Sequence, residues 1–91
     1  SHKNIAQLNE IKQKQKQLAN PKQPMPDLAD MPVVVLLGHN VHGNEPSGGE
    51  AAILMAYYLI ASKKEQINQM LEKMVILIDP VYNPDGRDRH T

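Results

Sequence analysis

Residues Gly38–Gly48 read GHNVHGNEPSG and separate two apolar runs, Val33–Leu37 and Ala51–Ala61. The first run is short, begins with β-branched residues and is apolar throughout, which is typical of a buried parallel strand. The second run is long enough for a helix but shorter than the roughly 20 residues of a membrane span. A loop with two histidines, a carboxylate and several glycines therefore joins a strand to a helix, where open α/β sheets bind ligands.

A second strand is predicted at Met74–Ile78, which is again a short and continuously apolar run. Between the two strands, the composition favours helix from Ser47 to about Ser62 and again over Glu65–Lys73. This spacing is long enough for a right-handed βαβ crossover, which places the strands parallel and side by side. The chain is therefore predicted to be α/β, with the loops after both strands facing one cleft.

The helix after the glycine-rich loop has a predictable start and a predictable core. Ser47 and Glu50 have the spacing of a capping box, in which each side chain accepts a hydrogen bond from the other residue's backbone N–H. The helix is apolar nearly all round, which predicts cover on more than one side. Tyr57 and Tyr58 are accordingly expected in the core.

The N-terminal part is predicted to be a helix over Asn4–Ala19, followed by an extended connector with three prolines in Asn20–Asp27. The lysines of that helix are interpreted as a solvated face. Ten basic residues balance ten acidic residues, so no nucleic-acid partner is expected. Cysteine is absent, which excludes disulfides and thiolate metal sites.

His42 and Glu45 form an H-x-x-E pair, and imidazole with carboxylate is ordinary zinc chemistry. If Gly43 provides the backbone freedom for a tight turn, both side chains reach one point. Two other interpretations stay open. The pair could be a surface hydrogen bond, and His39 with His42 makes a competing H-x-x-H pair.

The second strand ends in a polar loop, Asp79–Gly86, which reads DPVYNPDG. Its last four residues suit a type I turn, with Asn at the first position, Pro at the second and Gly at the fourth.

Two segments together resemble a known family. VHGNEPSG at residues 41–48 looks like the first zinc-binding motif of the zinc carboxypeptidases of the carboxypeptidase A type (M14 peptidases). DPVYNPDGR at residues 79–87 resembles the strand and N-P-D-G segment of the same family. The NPDGRDRH ending and the HGNEPSG form look more like the large bacterial members of the family than like its digestive enzymes. The resemblance covers residues 32–87 and implies part of a three-layer sandwich, a βαβ unit of the mixed sheet of the phosphorylase/hydrolase-like carboxypeptidase fold.

The resemblance also implies the site. His42 and Glu45 correspond to the first two ligands of one zinc ion in the complete protein, and Asn44, Arg87 and Arg89 are the substrate-side candidates. The family's third ligand, its general base and its substrate-binding arginines lie further downstream, so no catalytic residue is expected in this sequence. Residues 1–91 are interpreted as the N-terminal part of a catalytic domain, with a helix and connector over 1–31 and the βαβ unit over 32–91.

The function implied is hydrolysis of the C-terminal peptide bond of a peptide or protein, by a secreted or periplasmic enzyme, with the 91-residue chain inactive in isolation. One alternative is a zinc deacylase of the aspartoacylase or succinylglutamate desuccinylase type, which shares H-G-N-E. Another is a non-catalytic α/β binding module. Uncovered sheet edges predict that the isolated chain self-associates.

Overall fold

The computed structural model describes residues 1–90. In chain order the elements are α1 (His2–Ala6), α2 (Leu8–Leu18), β1 (Val33–Gly38), α3 (Ser47–Ala61), α4 (Glu65–Lys73), β2 (Met74–Asp79) and α5 (Pro84–His90). The chain is thus α/β, as predicted. Within residues 1–90, no helix combines the length and the apolar character that crossing a membrane requires.

The two strands pair in parallel, in a register that runs from Val33 opposite Met74 to Gly38 opposite Asp79. The pairing continues past the strands, because the His39 N–H donates to the Asp79 carbonyl at 2.9 Å and the Tyr82 N–H donates to the His39 carbonyl at 2.9 Å. The loops that follow β1 and β2 therefore leave the sheet side by side, at the carboxyl ends of the two strands. The predicted βαβ arrangement of neighbouring parallel strands is confirmed.

The N-terminal helix is divided in two, whereas the composition predicted one. Gln7 has φ −102° and ψ 9°, which interrupts the helix between α1 and α2. The side-chain amide of Asn4 donates to the carbonyls of Leu71 and Met74, at 2.9 Å each. This tertiary contact directs α1 onto the junction of α4 and β2, which composition alone does not reveal.

Helix α3 is exposed along most of its surface, so the prediction that it is covered on more than one side is wrong. Ile60 is 85% exposed and Tyr57 is 73% exposed, and Tyr58 is also exposed rather than in the core. The buried residues of the helix are Gly49, Ala52 and Leu59. In the part of the chain that the structure describes, a two-stranded sheet covers one stripe of α3.

The predicted capping box is also wrong. Pro46 already has helical backbone angles, φ −72° and ψ −20°, and no side chain caps the helix. Ser47 is therefore inside the first turn, and the Glu50 N–H donates to the Pro46 carbonyl at 3.2 Å. Because Ser47 is not the N-cap, its hydroxyl cannot take the capping role that the spacing predicts.

Candidate metal centre

His42 and Glu45 occupy the two ends of a tight turn after β1. The Glu45 N–H donates to the His42 carbonyl at 3.1 Å, which closes the turn over Gly43 and Asn44. Both end residues are exposed, so their side chains are accessible to a ligand from solvent. A three-residue spacing thus brings an imidazole and a carboxylate to the two ends of one turn.

Asn40 organises this turn from inside the protein. It is only 7% exposed, and its φ of 56° makes it the one residue other than glycine with positive φ among residues 1–90. Its side-chain amide donates to the His42 carbonyl at 2.7 Å and to the Glu45 carbonyl at 3.1 Å. Sequence reasoning missed this residue. The available signal was that asparagine is among the residues most tolerant of the left-handed region.

Asn83 joins the second loop to the first. Its N–H donates to the Asn40 carbonyl at 3.3 Å, and its side-chain amide donates to the Val41 carbonyl at 3.1 Å. Its side-chain oxygen accepts the Gly86 N–H at 2.9 Å, in the manner of an N-cap. The N-P-D-G segment, which was predicted to be a type I turn, therefore forms the beginning of α5. Pro84 takes the first helical position, which suits proline.

Gly43 is needed for a different reason from the one that the sequence indicated. None of the glycines in residues 1–90 has positive φ, so backbone freedom is not what the turn requires. A Cβ atom on Gly43 would collide with the carbonyl group of Gly86 and the backbone nitrogen of Arg87. Glycine is required here because the two loops touch backbone to backbone.

His39 is held differently from His42. Its backbone N–H and carbonyl both belong to the extended strand pairing. Its Nε2 atom is buried and has no hydrogen-bond partner in the described part of the chain. His42 and Glu45 therefore share a turn, whereas His39 lies outside it, on the other side of Asn40 and its left-handed backbone.

The substrate-side candidates occupy different environments. Arg87 is half-buried in α5 and its guanidinium lies 3.8 Å from the Glu50 carboxylate, which is mostly exposed. Such a pair is worth about 0–1 kcal/mol in water, so it orients the two side chains more than it stabilises the fold. Asn44 and Arg89 are exposed.

The donor set suits zinc but is incomplete. Histidine nitrogen and glutamate oxygen are both common zinc ligands, and catalytic sites use three protein ligands and a water. Residues 1–90 contain no group of three or more His, Cys, Asp or Glu side chains placed to hold a metal ion. The turn therefore fits part of a zinc site.

Comparison with known proteins identifies the family of the chain. The family model of the zinc carboxypeptidases, Peptidase_M14, matches residues 7–91, and the chain belongs to this family of zinc-dependent metallopeptidases. Carboxypeptidase 2 of Trichophyton rubrum is 46% identical over 52 residues, which are 57% of this chain and 10% of that protein. Human carboxypeptidase D is 37% identical over 51 residues, which are 54% of this chain and 4% of that protein. No solved structure matches the chain.

The resemblance read from the two motifs is thereby confirmed at the level of the family. The chain spans a tenth or less of the length of these curated relatives.

Proposed function

We propose that His42 and Glu45 are the first two zinc ligands of a metallocarboxypeptidase that hydrolyses the C-terminal peptide bond of its substrate. The observation that carries the proposal is the turn that joins these two residues, set at the carboxyl ends of two parallel strands. The Asn40 side chain donates to the carbonyls at both ends of the turn, and the N-P-D-G loop contacts the residue before the turn through Asn83. The family to which the chain belongs supplies the reaction class.

When bound, zinc polarises the scissile carbonyl and lowers the pKa of its water. In this proposal the role of residues 1–91 is to hold two ligands in a fixed relation at the sheet edge. Of the three substrate-side candidates, Asn44 is the one that lies in the turn itself, between the two proposed ligands. Arg87 and Arg89 follow in α5, and the ion pair with Glu50 orients Arg87 towards the start of α3.

We further propose that the 91-residue chain by itself does not turn over peptides. A catalytic zinc site uses three protein ligands, and the turn supplies two. The general base and a third ligand belong to the complete enzyme, in which β1 and β2 are part of a mixed sheet within a three-layer sandwich. We divide the chain into a helical and connecting segment, residues 1–31, and the βαβ unit with the metal loop, residues 32–91.

A zinc titration of the purified chain tests the ligand assignment. We expect measurable but weak Zn²⁺ binding by calorimetry, reduced at least about tenfold by either His42→Ala or Glu45→Gln because each substitution removes one of two ligands. His39→Leu and Glu50→Gln serve as controls and should leave the affinity unchanged. If His39→Leu weakens binding and Glu45→Gln does not, the H-x-x-H pair is the site and the proposal is wrong.

The reaction class is tested in the longer protein that carries these residues. We expect release of a C-terminal amino acid from a peptide, and loss of that activity on chelation of zinc. Hydrolysis of an N-acyl amino acid with no action on peptides would instead assign the deacylase reaction. A protein that binds zinc and hydrolyses neither would favour a binding module.

A further inference from the structure

We infer that Asn40 is a positioning residue of the metal site, because its side-chain amide holds the backbone carbonyls of His42 and Glu45 together. This inference rests on the proposed assignment of His42 and Glu45 as ligands. Asn40 is not itself a ligand in this account. It acts through the turn that carries both ligands.

The hydrogen bonds of Asn40 are directed at the two ligand-bearing residues. The amide nitrogen has two protons, and it donates to the His42 carbonyl at 2.7 Å and to the Glu45 carbonyl at 3.1 Å. The His42 carbonyl also accepts the Glu45 N–H. The relative position of the two ligand backbones is therefore defined by three hydrogen bonds, of which Asn40 makes two.

Asparagine suits position 40 better than aspartate or glycine does. The backbone at residue 40 has φ 56°, which asparagine, aspartate and glycine tolerate. Aspartate would present two acceptor oxygens to two carbonyl acceptors. Glycine would keep the backbone conformation and lose both donors. Only the carboxamide provides left-handed tolerance and two protons on one short side chain.

Burial makes the contact effective. Asn40 is 7% exposed, so water competes little for its amide protons, and removing it leaves two carbonyls without this partner. Its own carbonyl accepts the Asn83 N–H from the N-P-D-G loop. The side chain of Asn40 thus holds the two ends of the ligand turn, and its backbone carbonyl joins that turn to the N-P-D-G loop. Groups that hydrogen-bond to metal-ligand side chains typically contribute about 10–100-fold to metal affinity, and we take the lower end of that range as the expected effect of a contact to the ligand backbones.

Asn4 supplies a matched control elsewhere in the molecule. It is 5% exposed and also donates both amide protons to two backbone carbonyls, those of Leu71 and Met74. Asn40→Gly and Asn4→Ala each remove a buried carboxamide while leaving a favoured backbone conformation, left-handed in one case and helical in the other. The two variants should lose comparable stability, and only one of them concerns the ligand turn.

The experiment compares wild-type, Asn40→Gly and Asn4→Ala chains by Zn²⁺ calorimetry, thermal unfolding and backbone ¹⁵N relaxation of the metal-free protein. We expect both variants to unfold at lower temperature. Zn²⁺ affinity should fall at least tenfold in Asn40→Gly and stay within twofold of wild type in Asn4→Ala. In the absence of metal, order parameters at residues 43–45 should fall in Asn40→Gly alone.

Each other outcome has a defined meaning. Equal losses of Zn²⁺ affinity in both variants would show a general effect of stability, and unchanged affinity in Asn40→Gly would show no effect on the site. Either result overturns the inference. If the wild-type chain binds no Zn²⁺, the ligand assignment fails and the relaxation data decide this inference separately: a looser turn in Asn40→Gly supports it, and an unchanged turn overturns it.

Discussion

Gly43 is the residue at which the two loops of the candidate site meet. Its Cα faces the backbone of Gly86 and Arg87 with no space for a further carbon atom. We expect Gly43→Ala to separate the loops and to lower the free energy of unfolding by about 3 kcal/mol, the upper part of the range for overpacking, because backbone atoms cannot move aside as a side chain does. Urea denaturation of the purified variant measures this change.

Gly48→Ala is the control for that substitution, since it makes the same chemical change in the first turn of α3. The nearest atom to a Cβ there is the Asn40 nitrogen at 3.6 Å, an ordinary contact. We expect it to be neutral or to stabilise the chain by roughly 0.5–1 kcal/mol, because alanine has less freedom in the unfolded state. Equal losses in both variants would contradict the backbone contact between the loops.

Individual residues of the site differed in how far the sequence revealed them. His42 and Glu45 could be proposed as ligands because their chemistry and their spacing are local. The role of Asn83 could not be predicted, because its side-chain hydrogen bond to the Val41 carbonyl joins loops that lie 42 residues apart. Asn40 bonds to residues close to it in the chain, but its burial and its left-handed backbone are set by the fold and not by any spacing pattern. The role of Gly43 was misassigned because the atoms that exclude a side chain belong to the other loop.

At the scale of elements, α1 is attached to the body of the chain through Asn4. Its amide bonds to Leu71 and Met74 span the end of α4 and the first residue of β2. We expect Asn4→Ala to lower the free energy of unfolding by about 2 kcal/mol, near 1 kcal/mol for each hydrogen bond. Chemical denaturation followed by circular dichroism measures the loss.

Asn9→Ala is the corresponding control, because Asn9 is exposed in α2. Alanine is the better helix former, so this variant should be as stable as wild type or slightly more stable. Should Asn9→Ala lose as much as Asn4→Ala, the effect would belong to helical composition and not to the contact with β2.

The strands were predictable because their apolar runs are short and local, with Pro32 before β1 and Pro80 after β2, and α4 was predictable from the helical composition of residues 65–73. Helix α3 was predicted in position and wrongly in environment. Its apolar residues are distributed all round, which is typical of a covered helix, yet the described sheet covers only one stripe of it. The break at Gln7 could not be predicted from composition, because the contact of Asn4 with Leu71 and Met74 is tertiary. The start of α3 at Ser47 was predicted, but its N-cap is Pro46 and not Ser47.

For the whole molecule, the exposed surface of α3 predicts association. Leu54 is 70% exposed and Ile60 is 85% exposed, and within residues 1–90 each strand has a neighbour on one edge only. Large apolar patches and open strand edges both favour contact with another chain. We expect the double variant Leu54→Lys/Ile60→Lys to shift the chain towards monomer in sedimentation velocity at equal concentration.

The charge change itself is controlled by Gln13→Lys/Gln15→Lys, which adds two lysines to the exposed face of α2. This variant should associate as wild type does. A monomeric wild-type chain at high concentration, or dissociation by both double variants alike, would contradict association through α3.

The parallel pairing of β1 and β2 has a consequence for synthesis on the ribosome. The turn with His42 and Glu45 is translated long before Asn83, which follows Val41 by 42 residues. At about 5–20 residues per second, the turn is made roughly two to eight seconds before the loop that supports it. During that interval the turn lacks its contact with Asn83, and on the ligand assignment proposed above we expect metal to bind only after the second strand has been made.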